Sequence, residues 1–487
     1  MKKHVLLFVT LAALVTLTPT AGSRAKRSLV TPFLKVGSQA ILSNSLGPGY
    51  QLFTCQIANL NPSETCYDPY QVRHAYKIDT LLNSGFNGRG KTIVIIDAFQ
   101  SPNIVQELNT YNSFYSLPGL NGLGGANNPA LGSFTQIAPN GLTPFDPTNG
   151  DMVGWAEEIT LDVLWSHAIA PGANIVLVLA KSDSDPDILS ATRYAIEHNL
   201  GNVISQSFGE SESCMDPGLL LQQHLLFVEA TLKGMTLFAS SGDFGSAQPT
   251  CDGSSLVKAV GTPASDPLVS AVGGTELHAA RYCLASQGCN PAVNPAPGTY
   301  QGEIAWNEPD FGSTGGGFSV IFGEPLYQQG TIHGGKQRGV PDVSYSAAVL
   351  HGLLTYLNIP GIPAGFYLFG GTSAGSPQWA ALLAIADQKA GYPLGFINAA
   401  LYRIGQVQSR YSASFFDITS GNNALYVAGY SAGPGWDPTT GLGSPAADQL
   451  VNSLIQFASP FDALTAISGP NPPPGSSLPW PGHQWPH

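Results

Sequence analysis

The stretch Gly154–Ala180 reads GWAEEITLDVLWSHAIAPGANIVLVLA. Its first part has the apolar spacing of a helix, and its end, ANIVLVLA (Ala173–Ala180), is a β-branched apolar run. Pro171 and Gly172 punctuate the change, so the stretch reads as one helix feeding one strand. Similar runs recur at KTIVIIDAF (Lys91–Phe99), NVISQSFG (Asn202–Gly209), MTLFASSGD (Met235–Asp243) and FYLFGG (Phe366–Gly371). Helix-period segments separate several of them, including DPDILSATRYAIEHNL and LLLQQHLLFVEATLKG. Alternating strand and helix predicts an α/β fold with a central, mostly parallel sheet and helices on both faces. Ligands of such sheets sit at the C-terminal ends of strands. Asp243 and Ser373 both follow predicted strands there.

The Gly154–Ala173 helix carries acids on an unexpected side. Glu158 and Asp162 are four residues apart, on one helical face. Trp155 falls beside Asp162, and Leu161 and Trp165 beside Glu158, whereas Glu157 points roughly 100° away. A surface helix pairs Glu with Lys or Arg at this spacing. Two acids on an apolar stripe tend instead to share a proton. A solvated acidic face is the plainer alternative, and the flanking tryptophans weigh against it.

GGTSAGSPQWAALLA (Gly370–Ala384) reads as a tight turn entering a helix. Ser373 is there either a helix cap or a nucleophile facing free N–H groups. Local sequence favours the cap slightly, so the partner base decides. Histidine is the usual base, but the ten histidines are poor candidates. His167, in LWSHAIAPGA, is the best of them, and a helix-end histidine near the C-terminal dipole is its plainer reading. The Glu158–Asp162 pair is the alternative base. Asp243, leaving a strand through Ser-Ser-Gly, is either a turn residue or, if protonated, a donor to an oxyanion.

The 487-residue chain has 43% apolar and 11% charged residues and a net charge of −12. It lacks the clustered Lys and Arg that nucleic acid requires. Sparse charge also limits repulsion once carboxylates neutralise, which suits folding in acid. Lys2, Lys3, the apolar run Val5–Leu17 and small residues near Ala21–Ser23 form a secretory leader pattern over residues 1–22. The six cysteines fit export. Sequence proximity suggests the pairs Cys55/Cys66, Cys214/Cys251 and Cys283/Cys289, and none has metal or redox spacing. Residues 456–487 read as a Pro-rich, disordered tail.

Glu158-Ile-Thr-Leu-Asp162, Ser240-Ser241-Gly242-Asp243 and Gly371-Thr372-Ser373, in this order, resemble the sedolisins. These are serine-carboxyl peptidases of the subtilisin-like clan. TPASDPLVSAVGGT (Thr262–Thr275), STGGGFS (Ser313–Ser319), RGVPDVSY (Arg338–Tyr345) and Phe415–Pro445 match as well, so the resemblance covers residues 66–455. It implies a subtilisin-like three-layer fold and an acid-active, secreted peptidase acting on proteins or peptides. Ser373 would be the nucleophile, Glu158 its base, Asp162 the support of Glu158, and Asp243 the oxyanion donor. An ordinary Glu titrates near ~4.3, which predicts an acidic optimum. The resemblance also implies one structural Ca2+, held by the Asp417 and Asp437 side chains and the carbonyls of Ile418, Gly433 and Gly435. Oxygen donors suit that hard cation, although the spacing alone reads as a Gly-rich turn.

Residues 23–65 leave no room for the long folded prodomain usual in sedolisins, which puts activation in question. A monomer is expected, without a membrane once the leader is removed. Two rivals remain. A His-dependent subtilisin-type enzyme would use Asp97, at the end of IVIIDAF, but lacks a following His element; on the sedolisin reading, replacing Asp97 spares activity. A secreted binding protein on a peptidase fold would be inactive.

Overall fold

The computed structural model describes residues 30–43, 51–61, 63–125, 127–332 and 336–467. The leader expected over residues 1–22 and the Pro-rich stretch 468–487 lie outside the described residues. No helix among the described residues is long and apolar enough to cross a membrane.

The strand runs do what their composition requires. In Thr92–Ala98, Ile93 and Ile95 face one buried cluster while Val94 and Ile96 face another. A two-residue period with both faces apolar is buried on both sides. Thr92–Ala98 pairs in parallel with Asn174–Ala180 and with Val203–Gln206. Thr236–Ser240 and Ser270–Ala279 continue the parallel ladder on one side, and Phe134–Ile137 on the other. Val343–Ser346 joins Ser270–Ala279 in parallel, and Tyr300–Ala305 closes an edge antiparallel. The result is an eight-stranded, mostly parallel sheet. The helices Ile104–Tyr115, Gly150–Ile169 and Gly375–Ala390 cover one face; Asp185–Glu197 and Pro217–Leu232 cover the other. This is the three-layer α/β architecture expected.

Two expectations need correction. FYLFGG forms the strand Gly365–Gly370, but outside the main sheet. It pairs antiparallel with His351–Leu357 and with Lys35–Gln39 in a separate four-stranded sheet. An apolar run specifies strand but not partner. The start of the expected disordered tail is helical instead: Ala447–Phe457 enters it, and Asp462–Ile467 forms a short further helix. The described part of residues 23–65 belongs to the same body, since Phe53 and Cys55 lie in the main core. The bonds Cys55–Cys66, Cys214–Cys251 and Cys283–Cys289 are all present.

RGVPDVSY supplies a buried electrostatic tie. Arg338 and Asp342 are fully buried, with Nη2 and Oδ2 2.5 Å apart. Asp342 also accepts the Ala271 N–H at 2.8 Å and the Tyr402 hydroxyl at 3.0 Å, joining the central sheet to the C-terminal helices. Removing one partner of such a pair strands a buried charge and costs about 3–5 kcal/mol. Asp342→Ala is therefore expected to lose stability on that scale in urea unfolding. The apolar pair Arg338→Met/Asp342→Leu is expected to lose much less.

Candidate active site

The Gly150–Ile169 helix starts where the Asn149 side chain accepts the N–H groups of Asp151 and Met152, at 2.9 and 3.2 Å. From Ile159 to Ile169 every residue is buried. An apolar helix of this kind must lie inside the protein, and it carries Glu158 and Asp162 there, both fully buried.

Opposite it, the Gly365–Gly370 strand ends at Gly371, whose φ of 92° favours glycine. A single turn, Thr372–Ala374, then enters the Gly375–Ala390 helix. Ala374, not Ser373, occupies the cap position, and no side chain caps the helix. The Ser373 hydroxyl instead has two acceptors: Glu158 Oε2 at 2.9 Å and the Ser207 carbonyl at 3.0 Å. Ser207 Oγ donates to both oxygens of Asp162, at 2.9 and 2.8 Å. Asp243 Oδ1 accepts the N–H and hydroxyl of Thr372 at 2.8 and 2.9 Å, while its buried Oδ2 makes no hydrogen bond.

All four expected site residues thus converge. His167 is elsewhere: its Nε2 pairs with the Pro118 carbonyl at 2.7 Å, and burial depresses its pKa to about 4. Residues that sequence reasoning undervalued also appear. Asp97 is fully buried without a hydrogen bond and interacts with Asp162 and Glu158. Its signal was its place at the end of a strand, which had been tied to the rival enzyme. Ser207 and Thr372 had no signal beyond lying beside strand ends.

Burial dominates the electrostatics. It pushes Glu158 well above the ordinary carboxyl range, aided by the charges of Asp162 and Asp97 and opposed by the Ser373 hydrogen bond. It raises Asp162 to about 8, against hydrogen bonds from Ser207 and Glu158. It raises Asp243 to about 6, against the charge of Lys35 and the Thr372 donors. A proton shared between the two acids was expected to raise one pKa; complete enclosure, which the sequence did not show, raises both and carries Glu158 far from the ordinary value near ~4.3.

The site also holds a strand of its own chain. Thr31 and Pro32 pair antiparallel with Gly209 and Phe208, and Lys35 and Val36 with Gly370 and Phe369. Between them, the Phe33 N–H donates to the Ser207 carbonyl at 3.1 Å, and the Ser373 N–H donates to the Phe33 carbonyl at 3.0 Å. A Cβ on Gly371 would lie 2.4 Å from that carbonyl oxygen and 2.7 Å from Asp243 Oδ2, so both oxygens crowd the same point. The Phe33 ring is buried against Gly209 and Gly242. Lys35 Nζ stands 3.8 Å from Asp243 Oδ2.

The expected calcium residues also gather. Asp417 accepts the Gly435 N–H and the Tyr411 hydroxyl; Asp437 accepts the Gly433 N–H and those of Thr439 and Thr440. Two carboxylates that accept N–H groups of one Gly-Pro-Gly-Trp turn are an all-oxygen donor set of the right type for a hard cation. Among the described residues, three possible ligands of another kind meet at Glu276, His278 and His351.

Comparison with known proteins agrees with this fold. No family model matches the chain. Kumamolisin of Bacillus sp. (strain MN-32) is 33% identical over 407 residues, covering 81% of this chain and 65% of the relative. Sedolisin of Pseudomonas sp. (strain 101) is 33% identical over 268 residues, covering 53% and 41%. A solved structure of Pseudomonas sedolisin, a serine-carboxyl proteinase complexed with two molecules of pseudo-iodotyrostatin, superposes with a TM-score of 0.64 at 27% identity, covering 81% of this chain and all of that one. The chain belongs to the sedolisin family. It spans less than two thirds of the length of these curated relatives.

The raised carboxyls fix how this sedolisin-family chain responds to pH. Glu107, Glu157, Glu212 and Asp387 are also pushed by burial to about 7. Below about pH 4 these groups are protonated whether the chain is folded or not. As pH rises, the unfolded chain releases protons that the folded chain retains, so stability falls from about pH 4 to about pH 8. His167 and His351, both lowered mainly by burial, oppose this below about 6.5, as two groups against many. Calorimetry on Ser373→Ala protein is expected to give a Tm several degrees higher at pH 4.5 than at pH 8. The opposite order would contradict the assignment.

Proposed function

We propose that the protein is a secreted, acid-active serine-carboxyl peptidase that cleaves protein or peptide chains through an acyl-enzyme. The observation that carries this reading is the Ser373 hydroxyl 2.9 Å from Glu158, beside a peptide carbonyl held by the Ser373 N–H. Ser373 Oγ attacks the carbonyl carbon and its proton passes to Glu158. The Ser373 N–H and a protonated Asp243 stabilise the oxyanion. Glu158 then returns the proton to the leaving amine, and water releases the acyl group by the reverse sequence. Asp162, aligned by Ser207, supports Glu158 by sharing its proton. The three disulfides and the leader pattern support secretion.

Two ionisations bound the activity. Once the Phe33 strand lifts and solvent lowers its pKa, the Glu158–Asp162 pair must release a proton, and Asp243 must keep one. Activity is expected to fall above about pH 6, as Asp243 ionises. On a denatured protein at acidic pH, Ser373→Ala and Glu158→Gln are each expected to lose at least ~10³-fold in kcat, since the proton acceptor and attacking atom act as a unit. Asp243→Asn keeps a donor that does not titrate, so its alkaline limb is expected to move upward. Full activity in Ser373→Ala would overturn the peptidase reading. Because Asp97 adjoins Asp162, Asp97→Asn is now expected to shift the acid limb rather than leave the profile unchanged.

The strand through Phe33 lies as a substrate would. Main-chain pairing on both sides supplies binding, and the Phe33 ring fills the pocket before the bond to be cut. Phe33–Leu34 is therefore the first bond presented. N-terminal sequencing after acid exposure is expected to find Leu34 in the wild type and an uncut segment in Ser373→Ala.

One Ca2+ at Asp417 and Asp437, with the carbonyls of Ile418, Gly433 and Gly435, completes the reading; bound there, it would neutralise two adjacent carboxylates. Chelation is expected to lower the Tm of wild type, and Asp417→Ala is expected to remove that response.

A further inference from the structure

We propose that Glu276, His278 and His351 form a binding site for one transition-metal ion of the Zn2+ type, separate from both the Ser373 site and the Asp417–Asp437 loop. Glu276 and His278 are two apart in the Ser270–Ala279 strand, so both project from the same face of the sheet. His351 begins the strand His351–Leu357, which pairs with Thr65–Tyr67 on one side and Gly365–Gly370 on the other. The approach to His351 is fixed, since Glu308 accepts the N–H groups of Val349 and Leu350 at 2.7 and 2.8 Å. All three positions therefore stand on anchored backbone.

The distances fit a four-coordinate ion. His278 Nε2 and His351 Nδ1 are each 3.2 Å from Glu276 Oε1. Zinc bonds of about 2.0–2.1 Å in a tetrahedron place ligand atoms roughly 3.3 Å apart. All three ligand atoms lie within 4.8 Å of one another, so a small rotation of either imidazole closes the third edge. A second observation is independent of spacing. His351 Nδ1 is buried and makes no hydrogen bond, despite the carboxylate oxygen 3.2 Å away. Such an atom has lost water without gaining a donor or acceptor in line with its lone pair. An ion between the three groups supplies that missing partner.

The chemistry selects the ion. Two imidazoles and one carboxylate favour Zn2+, Cu2+, Ni2+ or Co2+ over Ca2+. The partly exposed side chains leave the fourth position to solvent. Arg281 lies near enough to His351 to oppose a cation, while Glu303 near His278 favours one. A bound ion would clamp a central strand to the strand pair that ends two residues before Thr372.

The test is metal titration of the whole chain as the Ser373→Ala variant, at pH 7.5 after chelator dialysis. Calorimetry with Zn2+ is expected to show one equivalent bound at micromolar or tighter Kd, and Co2+ to give the visible absorption of a tetrahedral site. Excess Ca2+ is expected not to compete. His278→Ala and His351→Ala are each expected to weaken Zn2+ at least ~10-fold, about 1.4 kcal/mol. Glu276→Gln, which preserves shape, serves if either alanine variant unfolds. Absence of Zn2+ binding, or binding unchanged in all three variants, would overturn the proposal.

Discussion

Asp97, Glu158, Asp162 and Asp243 are enclosed around one serine, and their enclosure governs the rest of the site. A buried carboxylate costs several kcal/mol unless it is paired or protonated. Among the described residues, only Lys35 approaches the group as a cation, and its ion pair is with Asp243. The carboxyls therefore retain protons well above their ordinary range. A cluster that must be protonated to be comfortable is stable in acid. On the proposed mechanism the same condition would let Asp243 donate a hydrogen bond where an ionised carboxylate would repel an oxyanion. Stability and chemistry thus draw on one electrostatic fact.

That fact needs close packing to hold. The apolar Gly150–Ile169 helix keeps the acids inside, and Gly371 lets the chain turn without a Cβ where Asp243 and the Phe33 carbonyl meet. The strand through Phe33 seals the site further. With that strand in place Glu158 is fully enclosed; its departure admits solvent, which lowers the pKa of a buried acid. While the strand lies sealed in the site the base keeps its proton, so cutting at Phe33–Leu34 would first require an opening that lets the pair release one.

The spacing Glu158–Asp162 on an apolar face was legible, because a helix repeats on a known period and unpaired acids on its inner side have few innocent explanations. Ser373 at a strand-to-helix turn was legible as a position, while its pairing with Glu158 rested on the acid pair found elsewhere in the chain. The parallel sheet could be read from apolar runs such as TIVIIDA. The partner of FYLFGG could not, since hydrophobicity marks a strand but not its sheet. Phe33 and Lys35 were unreadable: a few residues bound by main-chain hydrogen bonds leave no periodic trace. The upward shift of Glu158 was likewise hidden, because it comes chiefly from complete burial, then from Asp162 and from Asp97, sixty-odd positions earlier in the chain.

The central claim is a covalent step at Ser373 with Glu158 taking the proton. The direct measurement is acid-quenched mass spectrometry of the protein mixed with a peptide ester carrying Phe before the ester bond. The account predicts an acyl mass on the peptide containing Ser373 in the wild type, absent in Glu158→Gln. An acyl group on another residue, or undiminished acylation of Glu158→Gln, would contradict it.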